Sequence, residues 1–439
     1  MIKTVCISLV TVIAMAITVL FKPYVKVGKK KLGFYWIMCL IGALTLIATG
    51  SISLDSVFKG ITANTSVNPL KILTLFLAMT LISVYLGDAG FFDYIASTVF
   101  VKSKGGNLKL FIALYAIVSI LTIFTSNDII ILTFTPPICI FCKKAGISPL
   151  PFLVGEFVAA NTWSMMLIVG NPTNIYLAQS AGIGFFEYFS VMVLPTLVGG
   201  TIGFLTLLLV FRKSLFSPLK TEVAPFDKTT ISATKQIQKK PLIFALVHLI
   251  LCIVMLAVSD FIGVEMWIIC LILALSLSLF DLIYDLIAIH SISPVLRAIK
   301  KEPYELIPFV LSMFVIVLSL KECGFTDILA NALVSNTNTD GISFGFLTAL
   351  CSNLFNNIPS SVLMEKIISG SSPIAIYGAI IGSNIGAFIT PVGALAGIMW
   401  NKILGKYKVK LPFKKFILYG SAVAIPTLVG ATLTLFLIF

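Results

Sequence analysis

Charged residues make up only 11% of this 439-residue chain, and its 18 Asp and Glu are outnumbered by 31 Lys and Arg. Histidine occurs twice. With 58% hydrophobic residues and a mean hydropathy of +1.07, a soluble domain of this length could not hide its apolar surface, so lipid is the solvent for most of it. No P-loop, HExxH or G-x-S-x-G stretch occurs, so nothing supports an ATPase engine, a zinc hydrolase or a serine hydrolase on this chain. No basic stretch alternates with aromatics, so the net charge of +13 does not mark a nucleic-acid partner. The 8 Cys are scattered, nearly all inside apolar runs, and form no disulfide framework. The apolar runs also lack two-residue alternation, so they are helices rather than barrel strands.

Long apolar runs place spanning helices at about 4–21, 34–52, 70–87, 150–181, 190–211, 241–258, 266–283, 304–320, 374–400 and 415–438. The first run, Val5 to Phe21, has Lys3 before it and Lys22, Lys26, Lys29, Lys30 and Lys31 after it. That is the reverse of signal-peptide order and predicts a retained helix. Threading the chain with residues 22–31 in the cytoplasm puts loops 22–31, 102–109, 143–144, 212–240, 290–301 and 402–415 inside. These loops hold 26 of the 31 Lys and Arg, leaving Lys3, Lys59, Lys71, Lys321 and Lys366 outside. The asymmetry predicts a multi-pass plasma (inner) membrane protein with both termini extracytoplasmic.

Two apolar segments, 110–142 and 341–367, do not fit as ordinary spans. Lys102, Lys104 and Lys109 precede "TSNDIIILTFTPP" (125–137), and Lys143 and Lys144 follow it, so both ends face the cytoplasm. Residues 110–124 and 129–142 are each shorter than the ~20 residues of a span. They predict a re-entrant hairpin with its tip at Ser126-Asn127-Asp128, where irregular backbone is tolerated only against protein or a polar cavity. "GDAGFFDYIAS" from Gly87 recurs as "KECGFTDILAN" from Lys321, each after the third span of its half and before a hairpin segment. The second hairpin contains "CSNLFNNIPSS", with Asn356-Asn357 matching Asn127-Asp128, and its flanks lack Lys and Arg. It therefore enters from the opposite side. The pattern predicts inverted repeats at 1–211 and 241–439, joined by a cytoplasmic linker at 212–240. Each hairpin precedes an interrupted helix: 150–181 breaks at Gly170-Asn171-Pro172-Thr173-Asn174, and 374–400 at Thr390-Pro391-Val392-Gly393. Such breaks present free N–H groups, free carbonyls and positive dipole ends near mid-membrane.

At these residues the chain resembles the ion transporter superfamily, which includes arsenite-efflux permeases, NhaD-type sodium/proton antiporters and divalent-anion/sodium symporters. "TSNDIIILTFTPP", "FNNIPSSVLM" and "IGSNIGAFITPVGALAGIMW" look like its signature stretches, and "TPVGALAGIMW" is most similar to the arsenical-pump branch. The resemblance implies a scaffold domain, a transport domain holding both hairpins and both broken helices, and elevator movement in a homodimer. Carried over by position, it implies a substrate and ion site at Ser126, Asn127, Asp128, Asn171, Thr173, Asn174, Ser352, Asn353, Asn356, Asn357 and Thr390. Sodium would bind at Asn127, Asp128 and Asn356. A separate ATPase subunit is a further partner the family admits. The dicarboxylate branch carries Ser-Asn-Thr at both tips, and this chain departs from that pattern.

Asp128 is the sharpest residue. An ionised Asp at mid-membrane costs roughly 2.5–3.5 kcal/mol, so it implies a cation or proton partner, or else an N-cap on a half-helix starting at Ile129. Glu156 is a second proton-site candidate, weighed against a place at the cytoplasmic interface. Asp93 and Asp327 fit interfacial helices, and Asp281 and Asp285 an amphipathic surface helix. Cys139 and Cys142 offer soft ligands, but with no second pair they read as packing residues, as do His248 and His290. An intramembrane protease lacks a facing Asp pair, and a passive channel does not need inverted halves. The expectation is an all-α polytopic secondary transporter of about ten transmembrane helices and two re-entrant hairpins. Its substrate is an inorganic anion or arsenite-like species coupled to H+ or Na+, with a Na+/H+ antiporter and a Na+-coupled dicarboxylate or sulfate carrier as alternatives. No cofactor beyond a coupling ion is expected; the partners are the lipid bilayer and a small ion.

Overall fold

The computed structural model describes residues 1–439 apart from 22–23, 28–29, 66–67, 103–105, 218–237, 289, 291–292, 302, 335–336, 338 and 369–370. Most of the predicted linker 212–240 therefore lies outside the described residues. Among those described, the chain is helical except for an antiparallel ribbon of β1 (Tyr24–Val27) and β2 (Lys30–Gly33), which the all-helical expectation did not include. The first half runs α1 (Ile2–Phe21), α2 (Phe34–Ala48), α3 (Leu54–Thr62), α4 (Pro69–Asp88), α5 (Phe91–Lys102), α6 (Asn107–Phe124), α7 (Asn127–Lys144), α8 (Leu150–Trp163), α9 (Pro172–Ser180), α10 (Phe185–Val210) and α11 (Arg212–Leu215). The second runs α12 (Lys239–Ala257), α13 (Ser259–Ile262), α14 (Met266–Ala288), α15 (Ser293–Lys301), α16 (Leu306–Glu322), α17 (Phe325–Leu333), α18 (Asp340–Phe355), α19 (Asn357–Ile368), α20 (Pro373–Gly386), α21 (Leu395–Lys406) and α22 (Phe413–Leu433). Among the described residues, 8 helices are long and apolar enough to cross a membrane.

Local sequence sets the helix ends. Asn68 caps α4 by accepting from Leu70 N and Lys71 N at 2.8 and 3.2 Å, and Pro69 follows where its missing N–H is harmless. The 20 residues of α4 make it about 30 Å long. Its ends carry ion pairs with distant segments: Lys71 with Glu265 at 2.6 Å, and Asp88 with Lys301. Residues 265 and 301 thus lie on opposite faces. Lys71 also holds the Glu265 carboxyl below the ordinary carboxylate range.

Packing interleaves the halves. α16 lies on α1 and α2, while α4 lies on α12 and α14. Two readings need correction. The helix of residues 266–283 continues to Ala288, and Asp281 and Asp285 are only 8% and 2% exposed on it. Their four-residue spacing puts them on the face that buries Leu273, Ala274 and Leu277, so they do not form a surface helix. The arms α6 and α7 have 18 residues each, about 27 Å, so shortness does not distinguish them. Their junction is buried: Thr125, Ser126 and Asn127 are 2%, 5% and 2% exposed.

α18 and α20 cross at backbone range. Gly341, Gly345 and Ala349 on α18 face Gly378, Gly382 and Gly386 on α20, and a Cβ on Gly386 would come within 2.6 Å of Ala349 Cα. A Cβ on Gly382 would collide with the Gly345 carbonyl. Small residues at four-residue spacing allow this approach where no hydrophobic drive separates helix from lipid. Gly382→Val should therefore destabilise the protein by about 1–3 kcal/mol or more, read as a lower melting temperature in detergent. Gly405→Val, where a Cβ meets nothing within 4 Å, should leave it unchanged.

Candidate substrate and ion site

The first broken helix stops at Trp163 and restarts at Pro172. Gly170 lies so near the Ser164 carbonyl that a Cβ would clash. Asn171 caps the restart, its side chain accepting from Thr173 N at 3.2 Å. The second broken helix stops at Gly386 and resumes at Leu395, with a turn closed by Gly393 N on Thr390 O at 3.1 Å.

Asn384, fully buried in the last turn of α20, joins the two breaks. Its Oδ1 accepts from Ser164 Oγ and from Asn171 Nδ2, each at 3.0 Å. Its Nδ2 donates to Asn174 Oδ1 at 2.6 Å and to Ile380 O at 2.8 Å. Asn174 Nδ2 in turn donates to Ser164 O and Leu167 O at 2.9 and 3.2 Å, and Ser383 Oγ donates to Thr173 Oγ1 at 3.1 Å. Asn171, Thr173 and Asn174 are thus brought together, and they hold the fold of the break.

Each hairpin tip docks on its own side of this junction. Asn127 Nδ2 donates to Asn161 Oδ1 at 3.1 Å, and Asn161 Nδ2 donates to Phe157 O at 2.7 Å. Asn356 turns the second tip with φ of 79° and donates to Val392 O at 3.0 Å; Asn357 N donates to Gly393 O at 2.9 Å. Asn353 Nδ2 reaches Ala349 O and Gly386 O at 2.7 and 2.9 Å. Among the described residues, no hydrogen bond joins Asn356 to Asn127 or Asp128.

Three atoms of the candidate set stay open. Ser352 Oγ, Asn353 Oδ1 and Thr390 Oγ1 are buried without a hydrogen-bond partner among the described residues. A buried polar atom left unpaired costs about 1–3 kcal/mol, so these are acceptors and donors free for a ligand. Asp128 is not a cap: Ser126 is the N-cap and α7 begins at Asn127, so the half-buried Asp128 sits in the first turn. There its carboxylate faces the positive end of the helix dipole. Glu156 is 2% exposed, with its carboxylate oxygens 2.9 and 3.1 Å from Thr135 Oγ1 on α7. That places it inside the protein rather than at an interface.

Sequence reasoning missed Asn161, Ser164, Ser383, Asn384 and Thr135. The signal lay in the paired breaks: Asn161 and Asn384 each occupy the last turn before an interruption, and each donates to the carbonyl four residues back. Cys139 and Cys142 are buried free thiols of α7, and His248 is held by Phe244 O and Ser276 Oγ at 2.8 and 3.2 Å.

A bundle of apolar helices with two buried hairpins and two broken helices meeting at a polar junction defines a transporter fold. Solved structures agree: the YdaH transporter of Alcanivorax borkumensis superposes with a TM-score of 0.55 at 13% identity, covering 99% of this chain and 97% of its own. MtrF of Neisseria gonorrhoeae, of a class of antimetabolite efflux pumps, gives 0.54 at 14% identity, covering 98% and 94%. The family model described as CitMHS, citrate transporter, matches residues 30–379, and the chain belongs to that family of membrane transporters. Among relatives, an arsenical pump membrane protein of Escherichia coli is 29% identical over 423 residues, covering 91% of this chain and 92% of the relative. One of Escherichia coli (strain K12) is 28% identical over 373 residues, covering 80% and 83%.

The junction separates folding from binding. Asn384→Ala strips Asn174, Asn171 and Ser164 of a partner and should cost about 1–3 kcal/mol or more of stability. Thr390→Val removes a hydroxyl with no hydrogen-bond partner among the described residues, so it should keep the melting temperature while weakening substrate binding. Melting curves with and without substrate check both.

Proposed function

We propose that this chain is a secondary active transporter of an arsenite-like species or other inorganic anion, coupled to H+ or Na+. The observation that carries this is the set of open polar atoms, Ser352 Oγ, Asn353 Oδ1 and Thr390 Oγ1, beside a junction with no Lys or Arg among its hydrogen-bond partners. Hydroxyl and amide groups without a fixed cation suit a neutral hydroxide such as arsenious acid. A bound anion would need N–H dipoles or a co-bound cation. The naming of relatives as arsenical pump membrane proteins supports the same substrate class. Asp128, Ser126, Asn127, Asn356 and Asn357 place side chains at the tips, where a proton or sodium ion would be bound. Glu156 is the second proton carrier.

The hairpins and broken helices move together as one transport body against α4 and α16, in an elevator cycle, with two chains forming a dimer. The family's description as citrate transporter favours a second reading, a carboxylate carrier. Proteoliposomes with an internal pH dye distinguish these. Arsenite should trigger a coupled flux, and Asp128→Asn should reduce it to the rate of empty liposomes while the protein stays monodisperse. Flux with citrate and none with arsenite favours the carboxylate reading, and proton flux on sodium alone makes the protein an antiporter.

A further inference from the structure

Outside the junction, three soft sulfur atoms from three different helices meet in the interior. Cys252 on α12 and Cys270 on α14 bring their Sγ atoms to 3.7 Å. The Cys252 thiol also donates to Met79 Sδ on α4 at 3.5 Å. Cys252 and Cys270 are 0% exposed and Met79 is 4% exposed. Both cysteines are free thiols. They share one buried apolar cluster with Leu75, Ile82, Leu249, Leu256 and Leu273. The C-x-x-C of α7 drew attention in the sequence, yet the closer pair lies on separate helices.

We propose that Cys252 and Cys270, with the soft Met79 thioether beside them, bind a trivalent metalloid hydroxide such as arsenious acid, at a site separate from the transport junction. Thiols and thioethers are soft donors that select thiophilic centres. Two sulfurs on one atom at bond lengths of about 2.3 Å, the value for sulfur on zinc, stand about 3.3–3.8 Å apart at the angles of a pyramid. The 3.7 Å between Cys252 and Cys270 fits that case, with the remaining hydroxyl at the third corner and Met79 Sδ 3.5 Å from Cys252 Sγ.

Charge decides the ligand class. Arsenious acid is neutral, and two thiols condense with it as As(OH)3 + 2 Cys–SH → (Cys–S)2As–OH + 2 H2O. Two As–O bonds break, two As–S bonds form, and each departing hydroxide takes one thiol proton. No oxidant is consumed and no charge is left behind. A monovalent soft cation on two thiolates would instead leave a net negative charge among leucines, which burial penalises heavily. Binding ties α12 to α14, beneath α4, in the part of the fold that holds neither hairpin.

The proposal shares with the transport reading only the chemistry of arsenic(III). The test is equilibrium dialysis of the purified full chain against sodium arsenite with a phosphine reductant, counting bound arsenic, together with X-ray absorption at the arsenic edge. The wild type should hold an arsenic with two sulfur neighbours and one oxygen. Cys252→Ser and Cys270→Ser should each remove one bound arsenic per chain, and the Cys139→Ser/Cys142→Ser double variant should keep it. Arsenic with only oxygen neighbours in the wild type, or loss only in the Cys139→Ser/Cys142→Ser variant, overturns the proposal whatever the folding of the serine variants. Binding without arsenite flux upholds this site and defeats the transport reading, whereas flux without sulfur-bound arsenic does the reverse.

Discussion

A helix interrupted inside an apolar protein leaves N–H and carbonyl groups with no water to take them, and the rest of this structure is arranged around that constraint. Asn384 meets it at the centre: three hydrogen bonds of its side chain join the end of α20 to Ser164, Asn171 and Asn174 of the other half, and a fourth returns to Ile380 O. Asn161 does the same work on a smaller scale, holding the tip residue Asn127 against α8. The second tip is tied to the second break through Val392 and Gly393. The two breaks and both tips are therefore held by hydrogen bonds of their own.

A division between this junction body and the rest of the chain is what the proposed elevator movement requires. Within the junction body, the glycine-lined crossing of α18 on α20 fixes backbone against backbone. Between that body and α4 and α16, the contact includes an apolar cluster of Ile72, Tyr176, Phe314, Val317 and Val362, and a second in which Val392 and Ile398 join Leu73, Phe76 and Phe309. Apolar surfaces without interlocking hydrogen bonds slide at low cost, which is what alternating access needs. Lys71 and Asp88 tie the two ends of α4 to segments 265 and 301, and in the proposed cycle α4 belongs to the fixed frame.

The apolar helices were legible in the sequence because hydropathy acts locally, and the helix junctions at Thr125-Ser126 and Asn356 fall where the Lys flanks of the first hairpin segment and the repeated Gly-Phe-x-Asp stretches put the two tips. Asp281 and Asp285 were misread because they lie at and just past the end of the 266–283 window, where spacing alone does not tell a buried helical face from a surface one. The tip residues and breaks were recognised, but Asn161 and Asn384 were not, since their importance depends on which break packs on which. The same holds for Cys252 and Cys270: 18 positions apart, they become a pair only once α12 and α14 lie side by side.

Movement of the junction body past the frame is the central claim, and a reversible cross-link tests it most directly. Phe314 on α16 and Val362 on α19 share the apolar cluster at the boundary. With native cysteines replaced, Phe314→Cys and Val362→Cys can be joined and released by oxidant and reductant while substrate flux is followed in proteoliposomes. The account predicts that flux stops when the pair is joined and returns on reduction. Undiminished flux through the joined protein would show that this boundary stays still during transport, and would contradict the account.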